Sequence, residues 1–330
     1  MNNVERFNSV MSFQKPDRLP VVEWAHWWDK TIDRWYREGL PETMKDAGEI
    51  RDYLGLDCYQ QLWATCITEN CPPPAKHGAP VISNSEQYDR ILPVLYPANT
   101  FDKRIVEKWA LSQKSGETVI WFTLEGFFWH PRALFGIEEH MYAFYDHAKL
   151  MHRINEDLLQ FHLKVIDDIC GICSPSFVTI AEDMSYNHGP MLSKPFFDEF
   201  LTPYYRRLVP ELKKRGIYVF VDSDGDVMPL IPWLKEVGVE GILPLERQAN
   251  IDVAKIRKEH PDFRMIGGFD KTVMHLGEDA MRNEFERLLP VMRQGGYIAS
   301  VDHQTPPDVS LTNYRVYLRL LKEYCQKSVN

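Results

Sequence analysis

The chain reads as an α/β protein: a single (β/α)8 TIM barrel preceded by an N-terminal helical extension. Three observations predict this. Eight short apolar runs recur along the 330 residues, each followed by a helical pattern or a helix-bearing connection, the alternation of a β/α barrel. The run at 217–221, Ile-Tyr-Val-Phe-Val, has no polar alternation, as expected of a parallel strand buried on both faces. The runs also end in acidic or imidazole-bearing turns, and in β/α units ligand chemistry gathers at the carboxyl ends of the strands.

In order, Val4, Phe7, Val10 and Met11 repeat at helical spacing, and Lys15-Pro-Asp-Arg-Leu-Pro20 ends that helix. Val21 and Val22 form the first strand and lead into Trp24-Ala-His-Trp-Trp28. Trp24, Trp27 and Trp28 offer flat area for a planar ligand beside His26, although indoles fill cores as readily as pockets. A second strand follows at 56–63. The irregular stretch 71–96, with Cys71-Pro-Pro-Pro74, predicts an excursion over the barrel mouth.

The strand at 118–124 ends at Glu125. Helical patterning then runs from 137 to about 172, too long for one helix, so two helices should divide near Lys149. The strand at 177–181 ends at Glu182 and Asp183, and a helix at 195–215 leads to the strand at 217–221. Its loop packs Asp222, Asp224 and Asp226 around Gly225 before a helix carrying Leu230, Ile231 and Leu234. Strands at 239–245, 264–269 and 297–301 end at Glu246, Asp270 and Asp302-His303, with helices at 250–259, 278–294 and 310–326. No GxGxxG follows the first strand and no Walker sequence occurs, which disfavours a doubly wound nucleotide-binding sheet.

A net charge of −9 argues against nucleic acid or an anionic membrane as partner, and 44% hydrophobic residues can fill one large core. No apolar run reaches the length of a membrane span and none of signal-peptide length opens the chain, so a soluble, cytoplasmic protein is expected. Cys58, Cys66, Cys71, Cys170, Cys173 and Cys325 fit free thiols in a reducing compartment. The lone CxxC at 170–173 closes a helical pattern and reads as structural.

Ionisable residues converging on one mouth support two chemistries. Glu182, Asp222, Asp224 and His303 would hold a divalent ion through three carboxylates and an imidazole, with an open position for substrate; Zn²⁺, Mn²⁺ and Fe²⁺ all suit such ligands. Without a metal, crowded carboxylates raise one another's pKa and set a protonated acid beside an ionised base. Asp222, Asp224 and His303 are the candidate catalytic groups. His26, Trp24, Trp27, Trp28, Glu125, Asp270 and Tyr186 are the candidate substrate contacts. For each residue singly, capping a helix or pairing with Arg206, Arg207, Arg247 or Lys271 is an equal alternative.

Five segments stand out in order: Lys15-Pro-Asp-Arg-Leu-Pro-Val21, Asn187-His-Gly-Pro190 with the stretch 196–204, Asp222-Ser-Asp-Gly225, Gly267-Gly-Phe-Asp-Lys271, and 296–308 from Gly296-Tyr-Ile-Ala-Ser-Val-Asp-His-Gln onward. Together they resemble the uroporphyrinogen decarboxylase (URO-D) superfamily, which includes corrinoid-dependent methyltransferases. The resemblance implies a single barrel domain over 1–330, a homodimer, and either decarboxylation or methyl transfer.

The decarboxylases carry an Arg-Gln-Ala-Gly-Arg pattern after the first strand. Here Glu23-Trp-Ala-His-Trp-Trp-Asp-Lys30 stands in its place, with no arginine to meet a polycarboxylate. The methyltransferases carry a His-x-Cys-Gly loop and a late Cys that ligate zinc. Asp222-Ser-Asp-Gly225 and Asp302-His303 replace both sulfurs with oxygen and imidazole.

The reading that follows is metal-assisted methyl transfer, with zinc as the implied ion. It would run between a small, methoxylated aromatic substrate and a corrinoid protein, cobalamin entering only through that partner. Cofactor-free decarboxylation and a non-catalytic ligand-binding barrel are the alternatives.

Overall fold

The helix Asn3–Met11 closes the amino-terminal end of the barrel. Asn2 caps it, accepting from Glu5 N while the Glu5 carboxylate takes Asn2 N, a reciprocal pair that satisfies two orphan donors. Its buried face carries Phe7, which stacks on Phe177 at 5.2 Å and meets Tyr59 and Tyr218 edge-on, all three being first residues of barrel strands.

The computed structural model describes residues 1–330. Seven parallel strands form one sheet in sequence order: β1 (Tyr59–Ala64), β2 (Val119–Glu125), β3 (Phe177–Ala181), β4 (Tyr218–Asp222), β5 (Gly241–Leu243), β6 (Arg264–Phe269) and β7 (Tyr297–Val301). Helices follow the strands, as parallel connections require. The register pairs Glu125 with Ala181, Ala181 with Asp222, and Asp222 with Leu243, so the carboxyl ends of β2 to β5 share one rim.

The predicted first strand differs. Val21 and Val22 are buried but belong to no ladder. A side chain takes the Val21 N–H instead: the Asp57 carboxylate accepts it at 2.9 Å and is itself held by Arg18, and Pro20 has no N–H to offer. The segment still joins the two edges of the sheet. Asp57 N, just before β1, donates to Val21 O at 2.8 Å, while Trp24 N and Nε1 donate to Ser300 Oγ and Val301 O on β7.

Other boundaries shift for local reasons. The long helical pattern divides at His147, into Ile137–Asp146 and Ala148–Cys170. The helix expected at 195–215 contains a π turn, Phe197–Leu201, ahead of Thr202–Lys213; Pro203 lacks the N–H that would continue a regular ladder there. The strand at 239–245 shortens to β5 because Pro244 cannot donate.

The stretch 71–96 does not cover the mouth. It packs beside the helix Trp129–Phe135, with Val81 N and Ile82 N both on Leu134 O, and lines no part of the central cavity. All six cysteines are free. No helix is long and apolar enough to cross a membrane.

Gly267 adopts φ +107°, and a Cβ there would stand 2.1 Å from Pro244 O. Gly267→Ala should therefore lose about 2 kcal/mol or more of stability, read as a lower urea midpoint with unchanged m.

Candidate functional site

A cavity of about 380 Å³ opens at the carboxyl ends of the strands. Trp24, Ala25 and His26 form one wall, Gln61 and Trp63 of β1 with Trp129 a second, and Ala181, Asp183, Asp222 and Asp224 the floor; His303 and Gln304 after β7 close it.

Backbone shape delivers these groups. β4 carries Asp222 to the rim, and Gly225 at φ +79° turns the loop so tightly that a Cβ would lie 2.6 Å from the Tyr186 backbone. Asp226 N donates to Tyr186 O, pinning the loop to the hairpin formed by Ser185–Tyr186 and Gly189–Pro190. Gly225 N donates to Glu246 Oε2 at 3.2 Å, which draws the loop after β5 against the loop after β4. At the end of β7 the fully buried Asp302 accepts from Arg247 N at 2.9 Å and Lys271 N at 3.2 Å, gathering three loops around one carboxylate.

Asp224, Glu246 and His303 converge, with one ligand atom from each lying within 4.8 Å of the others. His303 Nε2 is 3.7 Å from Asp224 Oδ2. Lys271 Nζ lies 3.5 Å from Glu246 Oε1 and 3.5 Å from Asp302 Oδ1.

Carboxylates outnumber cations here, and the proton affinities show it. Burial, then Glu246 and Asp183, push Asp224 up to about 7. Burial, then Asp224 and Asp183, hold Asp222 well above the carboxylate range. Burial raises Asp302 to about 6 against the pull of Lys271, and burial then Lys271 lower the His303 imidazole. Crowded carboxylates of this kind take up protons or a cation. Two carboxylates and a neutral imidazole suit a divalent ion with positions left open to the cavity, so the residues fit a metal.

The structure brings Asp224 and His303 together and sets Asp222 in the floor beside them. Glu246 completes the trio; its place at the end of β5 was visible in the sequence, its convergence on Asp224 was not.

Glu182 lies apart. Its carboxylate accepts from Phe127 N (3.0 Å), Phe128 N (2.7 Å), Trp129 N (3.4 Å) and Tyr205 Oη (2.6 Å), so its lone pairs serve the turn after β2 rather than an ion. Burial raises its pKa to about 7, against the pull of those four donors.

Trp24 and His26 line the cavity, but Trp27 and Trp28 do not. Trp27 is 7% exposed and packs on Trp35 and Tyr314 in the core, whereas Trp28 faces solvent ahead of the helix Asp29–Arg37. Glu125 stands behind the lining, 3.5 Å from Trp63 Nε1. Asp270 caps its own turn, accepting Thr272 N and Oγ1. Tyr186 is half exposed and meets the loop through its backbone. Trp63 and Trp129 supply the aromatic walls that the first tryptophan cluster supplies only in part. Their positions at the end of β1 and just past β2 were the available signal.

Glu182→Gln should cost about 2–4 kcal/mol in denaturant unfolding, because an amide N–H₂ would face backbone donors. Metal content should stay unchanged; joint loss of metal and stability would return Glu182 to the ligand set.

The uroporphyrinogen decarboxylase (URO-D) family model matches residues 133–324. A uroporphyrinogen decarboxylase of Pseudomonas putida is 25% identical over 144 residues, 41% of this chain and 39% of that protein. The chain thus matches about two fifths of that relative's length.

Among solved structures, a putative vitamin-B12 independent methionine synthase of Listeria monocytogenes aligns over 95% of this chain and 98% of its own, at 12% identity and TM-score 0.48. A B12-independent methionine synthase of Shewanella sp. aligns over 71% and 69%, at 12% identity and TM-score 0.37. The family match spans more than half of the chain and all of β3 to β7, including every member of the Asp224, Glu246 and His303 trio, and the chain belongs to the uroporphyrinogen decarboxylase family.

Proposed function

We propose that this enzyme of the uroporphyrinogen decarboxylase family carries out metal-assisted methyl transfer between a small methoxylated, aromatic compound and a corrinoid protein. The observation that carries the reading is the trio Asp224, Glu246 and His303, opening into a cavity walled by Trp24, Trp63 and Trp129. Asp224, Glu246 and His303 would hold a divalent ion, zinc being the first choice, and it would supply Lewis-acid stabilisation of a departing oxygen.

The chain's own residues do the rest. The three indoles offer faces to an aromatic ring, and His26, Gln61 and Gln304 offer polar contacts around its edge. Asp222, partly buried at the floor with a raised proton affinity, can hold a proton for the departing oxygen. The lining contains no Arg or Lys, which weighs against a substrate as rich in carboxylates as uroporphyrinogen.

Cofactor-free decarboxylation of another carboxylate is the second reading, favoured by the same Asp222, whose proton would then go to the substrate carbon.

Elemental analysis of protein purified without chelator tests the proposal. Near-stoichiometric Zn, Mn or Fe, lost in Asp224→Ala and in His303→Ala, supports it. No metal after reconstitution overturns it and leaves decarboxylation or ligand binding alone.

Metal affinity should also depend on pH. A protonated carboxyl is a poor ligand, so with Asp224 titrating at about 7, affinity should fall as pH drops below about 7, approaching about tenfold per pH unit for one displaced proton. Calorimetric titration between pH 5.5 and 8.5, with flat affinity as the contrary result, checks the sign.

A further inference from the structure

Behind the Trp24 and Gln61 walls of the cavity lies a second, much smaller space of about 20 Å³. It is large enough for a water molecule. Its walls are mostly apolar, with Val22, Trp121, Phe177, Ile266 and Ile298, but four polar side chains also face it: Glu23, Arg51, Tyr59 and Gln61. Arg51 Nε and Tyr59 Oη are buried and have no hydrogen-bond partner in the protein. Buried polar atoms of this kind are ordinarily satisfied, and a bound water is the economical partner in a space this size.

Glu23 is 4% exposed. Its Oε1 accepts from Ser300 Oγ at 2.6 Å and its Oε2 from Tyr314 Oη at 3.2 Å, which leaves lone pairs for a water in the small cavity. Trp24 and Gln61 line both this space and the main cavity, so they are the partition between the two. Gln61 is tied through Nε2 to Thr123 Oγ1 at 2.9 Å, and Thr123 to Thr179 at 2.8 Å, which holds the amide in the wall.

We propose that Glu23 is the proton reserve of the main cavity, exchanging its carboxyl proton with that cavity through water held by Arg51, Tyr59 and Gln61. The Glu23 O–H bond breaks as the water takes the proton, and that water releases one past Gln61 to the atom being protonated in the main cavity. Glu23 remains as a carboxylate beside the Arg51 guanidinium until solvent returns a proton along the same path. Either reaction of the main cavity consumes one proton, at a departing oxygen or at a carbanion, so the inference does not depend on which occurs.

The groups facing Glu23 are Arg51 from the helix Ala47–Leu54, Tyr59 from β1, and Tyr314 and Tyr317 from the helix Leu311–Lys327. Burial raises the Glu23 carboxyl to about 7, while Ser300, Tyr314 and Arg51 pull the other way, so it gains and loses a proton near neutrality.

Infrared spectroscopy of the full-length protein tests this without substrate or metal, so its failure is distinct from failure of the methyl-transfer reading. Asp224, Glu182 and Asp302 protonate in the same range, so the signal is the wild-type minus Glu23→Gln difference, which should hold a protonated-carboxyl C=O band that grows as pH falls through about 7. On transfer to D₂O that band should shift within the mixing time in the wild type. In Gln61→Leu the shift should slow by about an order of magnitude, because exchange would then wait on local opening of the barrel. A difference spectrum without such a band overturns the proposal, as does exchange in Gln61→Leu as fast as in the wild type.

Discussion

Peptide N–H groups just beyond the ends of parallel strands have left the ladder and need acceptors, and two buried carboxylates meet that need in this barrel. Glu182 takes three of them in the turn after β2, together with the Tyr205 hydroxyl. Asp302 takes Arg247 N and Lys271 N, from the loops after β5 and β6. With these acceptors in place the rim loops have fixed paths. Trp129 then stands as a cavity wall and Glu246 reaches Asp224, so the geometry of the site follows from hydrogen bonds that take no part in its chemistry.

The second constraint is charge. Asp183, Asp222, Asp224, Glu246 and Asp302 share a small volume with Lys271 and His303, and burial strips them of the water that would screen their repulsion. Such a cluster is stable only if it takes up protons or a cation. This makes metal binding and proton storage two outcomes of one electrostatic situation. Glu23 extends the same logic: a carboxyl buried behind the cavity wall, beside one guanidinium, titrates where exposed carboxyls do not.

Aromatic side chains divide between the two tasks according to where the strands place them. Trp27 turns inward onto Trp35 and Tyr314, whereas Trp24, three residues earlier, hydrogen-bonds to Val301 O and presents its ring to the cavity. Neighbours in sequence thus serve core and site respectively, and the partition is set by the path of one unladdered segment.

By itself the sequence determined the β/α alternation, seven of the strands to within a few residues, and the polar character of their carboxyl ends, because strand and helix periodicities and the turn residues between them are local properties. It also placed Asp222, Asp224 and His303 at one end of the barrel. Only the tertiary structure decided which carboxylates face the cavity and which serve the backbone. Glu182 and Asp183 are adjacent in the chain, yet one is consumed by N–H groups more than 50 residues away and the other lines the floor. The same holds for the first stave, where Asp57 takes the polar groups of Val21 that a ladder would have used. Hydrogen-bond partners distant in sequence leave no local pattern, so the choice between a structural and a chemical carboxylate is made by the folded barrel alone.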